Sequence, residues 1–426
     1  MDSKTLMPGV RPKEVWAWSA FDFANSGYTT VVLTAVFNAY FVAVVAGDAP
    51  WATFVWTLII AASNAASLVL MPVIGAIADA TARKKVWLFA ATLCAVAGTF
   101  GLAFCGPGTI LLAAVMVILS NVGETLNSAF LPEIARPEAV GKVSGWGWSF
   151  GYCGGLVTLG ASLLLVTQAD RLGLSTDSAI AGTMVITATV FALAAVPIFA
   201  VLKERAVPRQ KGTSSLGSLC LESFREVVRT AKCLSQYRDF GWLALCGFLY
   251  QSGISVVITL SAVYAAEVMG FTTTDTLLLV FLVNIPAALG AFGFGYLQDR
   301  IGHKRALGTT LVVWVLMIAC AAFATTRPLF WLAANLAGLA MGSSQSAGRA
   351  MVALLSPESR SAEFFSFWNM SLWVAAIVGP LAYGSVTWIT GNDHRLAILV
   401  TGVFFLLSIA ALMPISLERG RRAAGR

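Results

Sequence analysis

Charge is scarce in this 426-residue sequence: only 12% of its residues are Asp, Glu, Lys or Arg, while 58% are hydrophobic. A soluble globular chain carries about 25% charged residues, so a fully water-facing surface is excluded. Histidine is scarcer still, with His303 and His394 in separate connections, which excludes a histidine-built metal centre. Cys94, Cys105, Cys153, Cys220, Cys233, Cys246 and Cys320 never fall into CxxC or CxxH spacing. They read as small apolar residues, not as metal ligands or a disulfide framework. A phosphate-cradling glycine loop and a nucleophile–base signature are also missing. An enzyme, a nucleotide-driven pump and a resident cofactor or metal are therefore not expected.

What the sequence has instead is length in its apolar runs. They fall near 15–46, 52–78, 86–104, 108–132, 143–167, 179–202, 240–268, 274–297, 306–324, 328–354, 363–389 and 395–415. Nearly all reach or exceed the roughly 20 residues that cross a bilayer. The alternating pattern of a membrane barrel is absent, so helices are the expected solution. An all-α membrane protein of twelve transmembrane helices follows. The first fourteen residues carry Lys4, Arg11, Pro12 and Lys13 ahead of a run too long for a signal-peptide core, so no cleavable signal is expected.

Lysine and arginine orient the spans. With the N-terminus inside, the inner segments hold 24 of the 28 Lys and Arg residues. The outer loops hold only Arg171, Arg327 and Arg395, and Arg349 lies within a span. Both termini are thus expected in the cytoplasm, with the chain in a cell (inner) membrane, or a vacuolar-type membrane if the source is eukaryotic. The formal net charge of +7 is explained by this topology, and nucleic acid is not an expected partner.

Two halves share one register. GAIADATARKK at 75–85 aligns with GYLQDRIGHKR at 295–305, an offset of 220 that also pairs Asn64 with Asn284, Pro137-Glu138 with Pro357-Glu358 and Trp148 with Trp368. A duplicated six-helix unit is the economical explanation. The expected divisions are a six-helix bundle at 1–202, a linker at 203–239, a second bundle at 240–416 and a basic tail at 417–426. Within the linker, ESFREVVRTAKCLSQYRDF has a helical apolar period with basic residues, as a helix lying on the inner membrane surface would.

The doubled G-x-x-x-D loop resembles the signature of the major facilitator superfamily. Its first copy has Gly75, Asp79, Arg83 and Lys84; its second has Gly295, Asp299, Arg300, Gly302 and Lys304. WSAFDFANSGYTT, LNSAFLPEIARPEAVGKVSGWGWSFGYCGG and SSQSAGRAMVALLSPESRSAEFFSFWN further resemble the autophagy-related vacuolar amino-acid effluxers and their bacterial relatives. The resemblance implies two pseudo-symmetric six-helix bundles that rock about a central cavity lined by spans one, four, seven and ten. It also implies that Asp79 accepts hydrogen bonds at the start of span eleven near Phe364, and Asp299 at the start of span five near Val143. Arg83, Lys84, Lys304 and Arg305 would hold lipid phosphates or acids, or merely enforce topology. The Gly-Pro of antiporter span five and the usual span-four arginine are missing here, which speaks against drug/proton antiport.

The four cavity spans are also the polar ones. Span one carries Asp22, Asn25, Ser26, Tyr28 and Thr29; span four carries Asn121, Glu124, Asn127 and Ser128. Span seven carries Tyr250, Gln251, Ser252, Ser255 and Thr259, and span ten carries Gln345, Ser346 and Arg349. At about 1.5 Å per residue, Asp22, Glu124 and Arg349 lie roughly 10, 12 and 8 Å inside the inner ends of their helices. Intramembrane charges are costly and face partners or water. Arg349 is therefore expected to pair with Asp22 or Glu124 when the inner side is closed, and Glu124 to be the better proton carrier. Gly147-xxx-Gly151-xxx-Gly155 marks a close helix contact in span five. The expected protein is a monomeric secondary transporter of a small polar or zwitterionic solute, an amino acid or short peptide, with protons as a candidate coupling ion and membrane lipids as surroundings. Export of an amphipathic compound or lipid, and a non-transporting scaffold or receptor, are the other readings.

Overall fold

The computed structural model describes residues 5–47, 49, 51–120, 124–206, 225, 234–271, 273–391 and 393–425. The linker helix expected at 222–240 lies mostly outside the described residues, which there are Arg225, the short turn Leu234–Tyr237 and residues 238–240 at the start of the next long helix.

Continuous apolar sequence leaves the backbone no water to bond to, so it closes its own hydrogen bonds in long helices. α1 (Pro12–Val45) starts with proline in its first turn, and the Arg11 N–H donates to the Glu14 carboxylate at 3.1 Å while the Glu14 N–H donates to the Arg11 carbonyl at 2.9 Å. Its outer half runs through two π-helical stretches, Thr29–Ala35 and Phe41–Val45. There follow α2 (Ala52–Thr81), α3 (Lys84–Phe104), α4 (Ile110–Ile134, running across the undescribed 121–123), α5 (Val140–Thr167) and α6 (Thr176–Val201). After the linker come α7 (Arg238–Met269), α8 (Thr273–Ile301), α9 (His303–Ala322), α10 (Arg327–Leu355), α11 (Ser361–Ile389) and α12 (His394–Leu412). A short α13 (Leu417–Ala423) closes the chain.

Eleven of these helices are long and apolar enough to cross a membrane. The helix outside that set is α10, which has spanning length at 29 residues but carries Gln345, Arg349 and three closely spaced serines. The helix least at home in lipid is the one with most to offer a polar interior.

α1 packs on α5 and α6, and α3 on α4 and α6; α7 packs on α11 and α12, and α9 on α10 and α12. Two further contacts join the early helices to the late ones: α2 on α11, and α5 on α8. Under the 220-residue offset these are the same contact made twice. Glycine permits the second to be tight. A Cβ on Gly145 would stand 2.5 Å from the Ala291 carbonyl oxygen and 2.9 Å from Gly295 Cα.

Both chain ends lie at one end of the bundle. Leu6 forms an isolated bridge with Ala135 after α4. At the other terminus, Asp239 at the start of α7 accepts from the Ser416 N–H and from the Arg419 guanidinium, pinning α13.

Candidate functional site

At the middle of the molecule, Asp22 of α1 and Arg349 of α10 form an ion pair 2.6 Å long, with each side chain under a tenth exposed. Its surroundings satisfy both groups. Asn127 donates to the second Asp22 oxygen at 2.9 Å, and Arg349 donates to the Ser144 carbonyl at 2.9 Å and its hydroxyl at 3.3 Å. The guanidinium makes cation–π contacts with two indoles, 4.7 Å from the Trp18 ring centre and 5.1 Å from that of Trp148. Desolvated cation–π contacts contribute about 2 kcal/mol or more. Trp18 is itself held by its N–H, which donates to the Asn127 carbonyl at 2.8 Å. Gly147 makes room for the assembly, since a Cβ there would stand 2.5 Å from both Arg349 Nη2 and Asp22 Oδ2.

One helical turn outward from this pair the helices part around a cavity of about 440 Å³. Asn25, Ser26, Thr29, Thr30 and Thr34 of α1 line one wall, and the π-helical turn presents its last three. Asn64, Thr125 and Asn369 extend the polar lining. On the facing side Gln345 donates to Gln251 at 3.3 Å, amid an apolar wall that includes Val256, Leu279, Val283 and Met341. Among the described residues no charged side chain lines the cavity. The Asp22–Arg349 pair lies beneath its floor, and Trp148 belongs to both, lining the cavity while stacking on Arg349.

A second constellation holds the end where the termini lie. Asp79 accepts from the Glu363 N–H at 3.0 Å, at the start of α11, and Asp299 accepts from Gly141 and Lys142 N–H groups at 2.9 Å each, at the start of α5. The contacts fall within two residues of the expected Phe364 and Val143. Lys84 is fully buried, 3.2 Å from Asp79 and 2.8 Å from Glu133, and donates to the Ser361 hydroxyl at 2.6 Å. It therefore bonds acids within the protein and no lipid. Lys304 donates to the Met413 and Ile415 carbonyls after α12, whereas Arg83 and Arg300 are exposed.

Of the other expected site residues, Asn25, Gln251 and Gln345 line the cavity, and Asn127 supports Asp22 from below. Tyr28 is in neither place: it is 1% exposed within the apolar core, turned away from the strip of α1 that Asn25 and Thr29 present to the cavity. Asn121 and the Glu124 side chain lie outside the described residues. Sequence reasoning passed over Asn64 and Asn284 as ligands although both line the cavity, and their shared register was the available signal. Trp18 and Ser144 gave no such signal, since their roles arise only from contacts between distant helices, whereas Gly147 was flagged by its small-residue row.

The family model described as "Vacuole effluxer Atg22 like" matches residues 41–425. The chain is 27% identical over 409 residues to an uncharacterized MFS-type transporter, YxiO, of Bacillus subtilis, covering 94% of each. It is 24% identical to autophagy-related protein 22 of Yarrowia lipolytica over 71% of this chain, and spans about half of that longer fungal protein. Among solved structures, the human organic anion transporter MFSD10 (TETRAN) superposes with a TM-score of 0.73 at 16% identity, covering 94% of this chain and all of the other. A bacterial homologue of the iron transporter ferroportin, in an outward-facing state, gives 0.70 at 16% identity over 95% and 99%. With the doubled signature loop, the paired helix contacts and a family match over most of its length, the chain belongs to the vacuole effluxer Atg22-like family of major facilitator transporters.

Proposed function

We propose that this transporter moves a small zwitterionic solute with an apolar side chain, an amino acid or short peptide, by alternating access. The observation that carries the reading is the uncharged, mixed lining of the cavity. The α1 wall offers Asn25 and four hydroxyls, the facing wall mixes the Gln251, Asn284 and Gln345 amides with aliphatic Val256, Leu279, Val283 and Met341, and no charge lines either among the described residues. Such a lining suits a solute that is neutral overall and has one apolar end. The family's description as vacuole effluxers supports transport without naming a solute, and the neighbours named for organic anion and iron transport share only the fold.

In this scheme residues 1–202 and 240–416 are two six-helix halves joined by the linker 203–239, with the tail 417–426 and both termini in the cytoplasm. The structure then represents the state closed on that side. Asp22 and Arg349 are the bolt beneath the substrate, and opening releases both to solute or proton. Glu124 is the second candidate for the proton, and the transporter works as a monomer.

The test is uptake of labelled amino acids and dipeptides into proteoliposomes. Apolar amino acids should be carried, and Gln251→Ala should raise the half-saturating concentration several-fold. Glu124→Gln should retain flux but lose its pH dependence, and pH dependence that survives would remove Glu124 from coupling. The apolar wall also favours a second reading, export of an amphipathic compound or lipid. Flux seen only with large apolar ligands would establish that one, and no flux of any solute would leave a scaffold.

A further inference from the structure

A second cleft, of about 510 Å³, opens at the end where the termini lie, between the start of α1, the start of α3 and the exit of α6. Arg11, Lys13, Lys85 and Lys203 line it with a single acid, Glu204. That acid is already engaged, accepting from the Lys84 N–H. Arg11 has a distant partner in Glu14, at 3.9 Å. Lys85 is aimed by two carbonyls, Phe199 at 2.8 Å and Leu202 at 2.7 Å. Arg11, Lys13 and Lys203 are exposed. The cleft therefore gathers four cations against one committed anion. Topology needs basic residues at this end, but not around one concavity.

We propose that this cleft binds a phosphate-bearing anion, its form being the headgroup of an anionic lipid. The surface running from it favours a lipid over free phosphate. Phe89 packs edge-on to Phe199 at 5.1 Å, just beyond Lys85 and its carbonyl partner. Val86, Phe89 and Val196 are each about half exposed or more beside that contact. A head held by the lysines would have its acyl chains on this apolar strip. Cationic pockets between transmembrane helices recognise headgroups in this manner, at about 1 kcal/mol per basic residue near the surface.

Thermal unfolding of the purified full-length protein in neutral detergent tests the site, with short-chain phosphatidic acid and inorganic phosphate titrated separately. Phosphatidic acid should raise the midpoint at concentrations where phosphate does not. Lys13→Gln with Lys203→Gln should weaken that effect at least roughly tenfold, while Arg421→Gln with Arg422→Gln, equal in charge but distant, should leave it unchanged. Equal stabilisation by both probes, lost in the cleft variant, would keep the site and assign it to free phosphate. Stabilisation that is absent, or that survives in the cleft variant, or that falls equally in both variants, overturns the proposal.

Discussion

At the scale of the residue, the Asp22–Arg349 pair is the feature whose removal should be most visible. Taking away one member of a buried ion pair leaves the other charged, desolvated and alone, at a cost of about 3–5 kcal/mol. Asp22→Asn and Arg349→Gln should each destabilise the protein by that order in SDS or thermal titrations. The double variant should lose far less than the sum of the two. An additive cycle would show that the pair is not coupled and that each residue is held by its own helix. Part of this site was legible beforehand: one arginine and two acids, Asp22 and Glu124, at similar depth in separate spans predicted an ion pair without choosing between the acids, and Arg349 pairs with Asp22. The two indole contacts were not legible. Trp148 was marked only by its register with Trp368, and nothing in the local spacing of Trp18 points to Arg349, which lies a long stretch of chain away.

At the scale of the element, α5 decides how closely α1 can approach, and so where Asp22 stands. Gly154 faces the backbone of Phe23, where an added Cβ would meet the carbonyl oxygen at 2.2 Å. Gly151 and Gly155 face Ser26 and Thr30 in the same way, at 2.8 Å from each hydroxyl. The glycine row read from the sequence is thus a seam along α1, while Gly145 serves the contact with α8. Gly154→Ala should cost about 1–3 kcal/mol by overpacking, because backbone atoms give way less than side chains. Gly160 on the same helix has open space around it. Gly160→Ala should be neutral or stabilising by up to about 1 kcal/mol, from helix propensity alone. Equal effects at the two positions would refute the seam. The helices themselves were legible because apolar length is nearly sufficient evidence in a membrane. α10 was the instructive case, since the serines, Gln345 and Arg349 that make it useful also make it look least like a span.

At the scale of the whole molecule, two carboxylates join the early helices to the late ones through the same contact used twice. Asp79 meets the first turn of α11 and Asp299 the first turn of α5, each accepting from backbone N–H groups that have no partner within their own helix. The repeat in the sequence, with the contact that the family resemblance implied, made this symmetry readable, and the residues reached were off by no more than two. The supporting ring around Lys84 was harder to read, because Glu133 and Ser361 reach it from separate helices. Hydrogen bonds to a charged group contribute about 1.5–3 kcal/mol each, and in the proposed cycle the state closed at this end uses both sets. Asp79→Asn and Asp299→Asn should therefore each shift the balance toward the open arrangement by about tenfold or more. Spin labels at Glu138 and Glu358, both exposed and on opposite sides of the seam, would report this as a growing population at longer distance. The double variant should move further than either single one, since the two contacts are separate. If both variants keep the short distance while transport falls, the carboxylates do not set the conformational balance, and their role lies in a later step of the cycle.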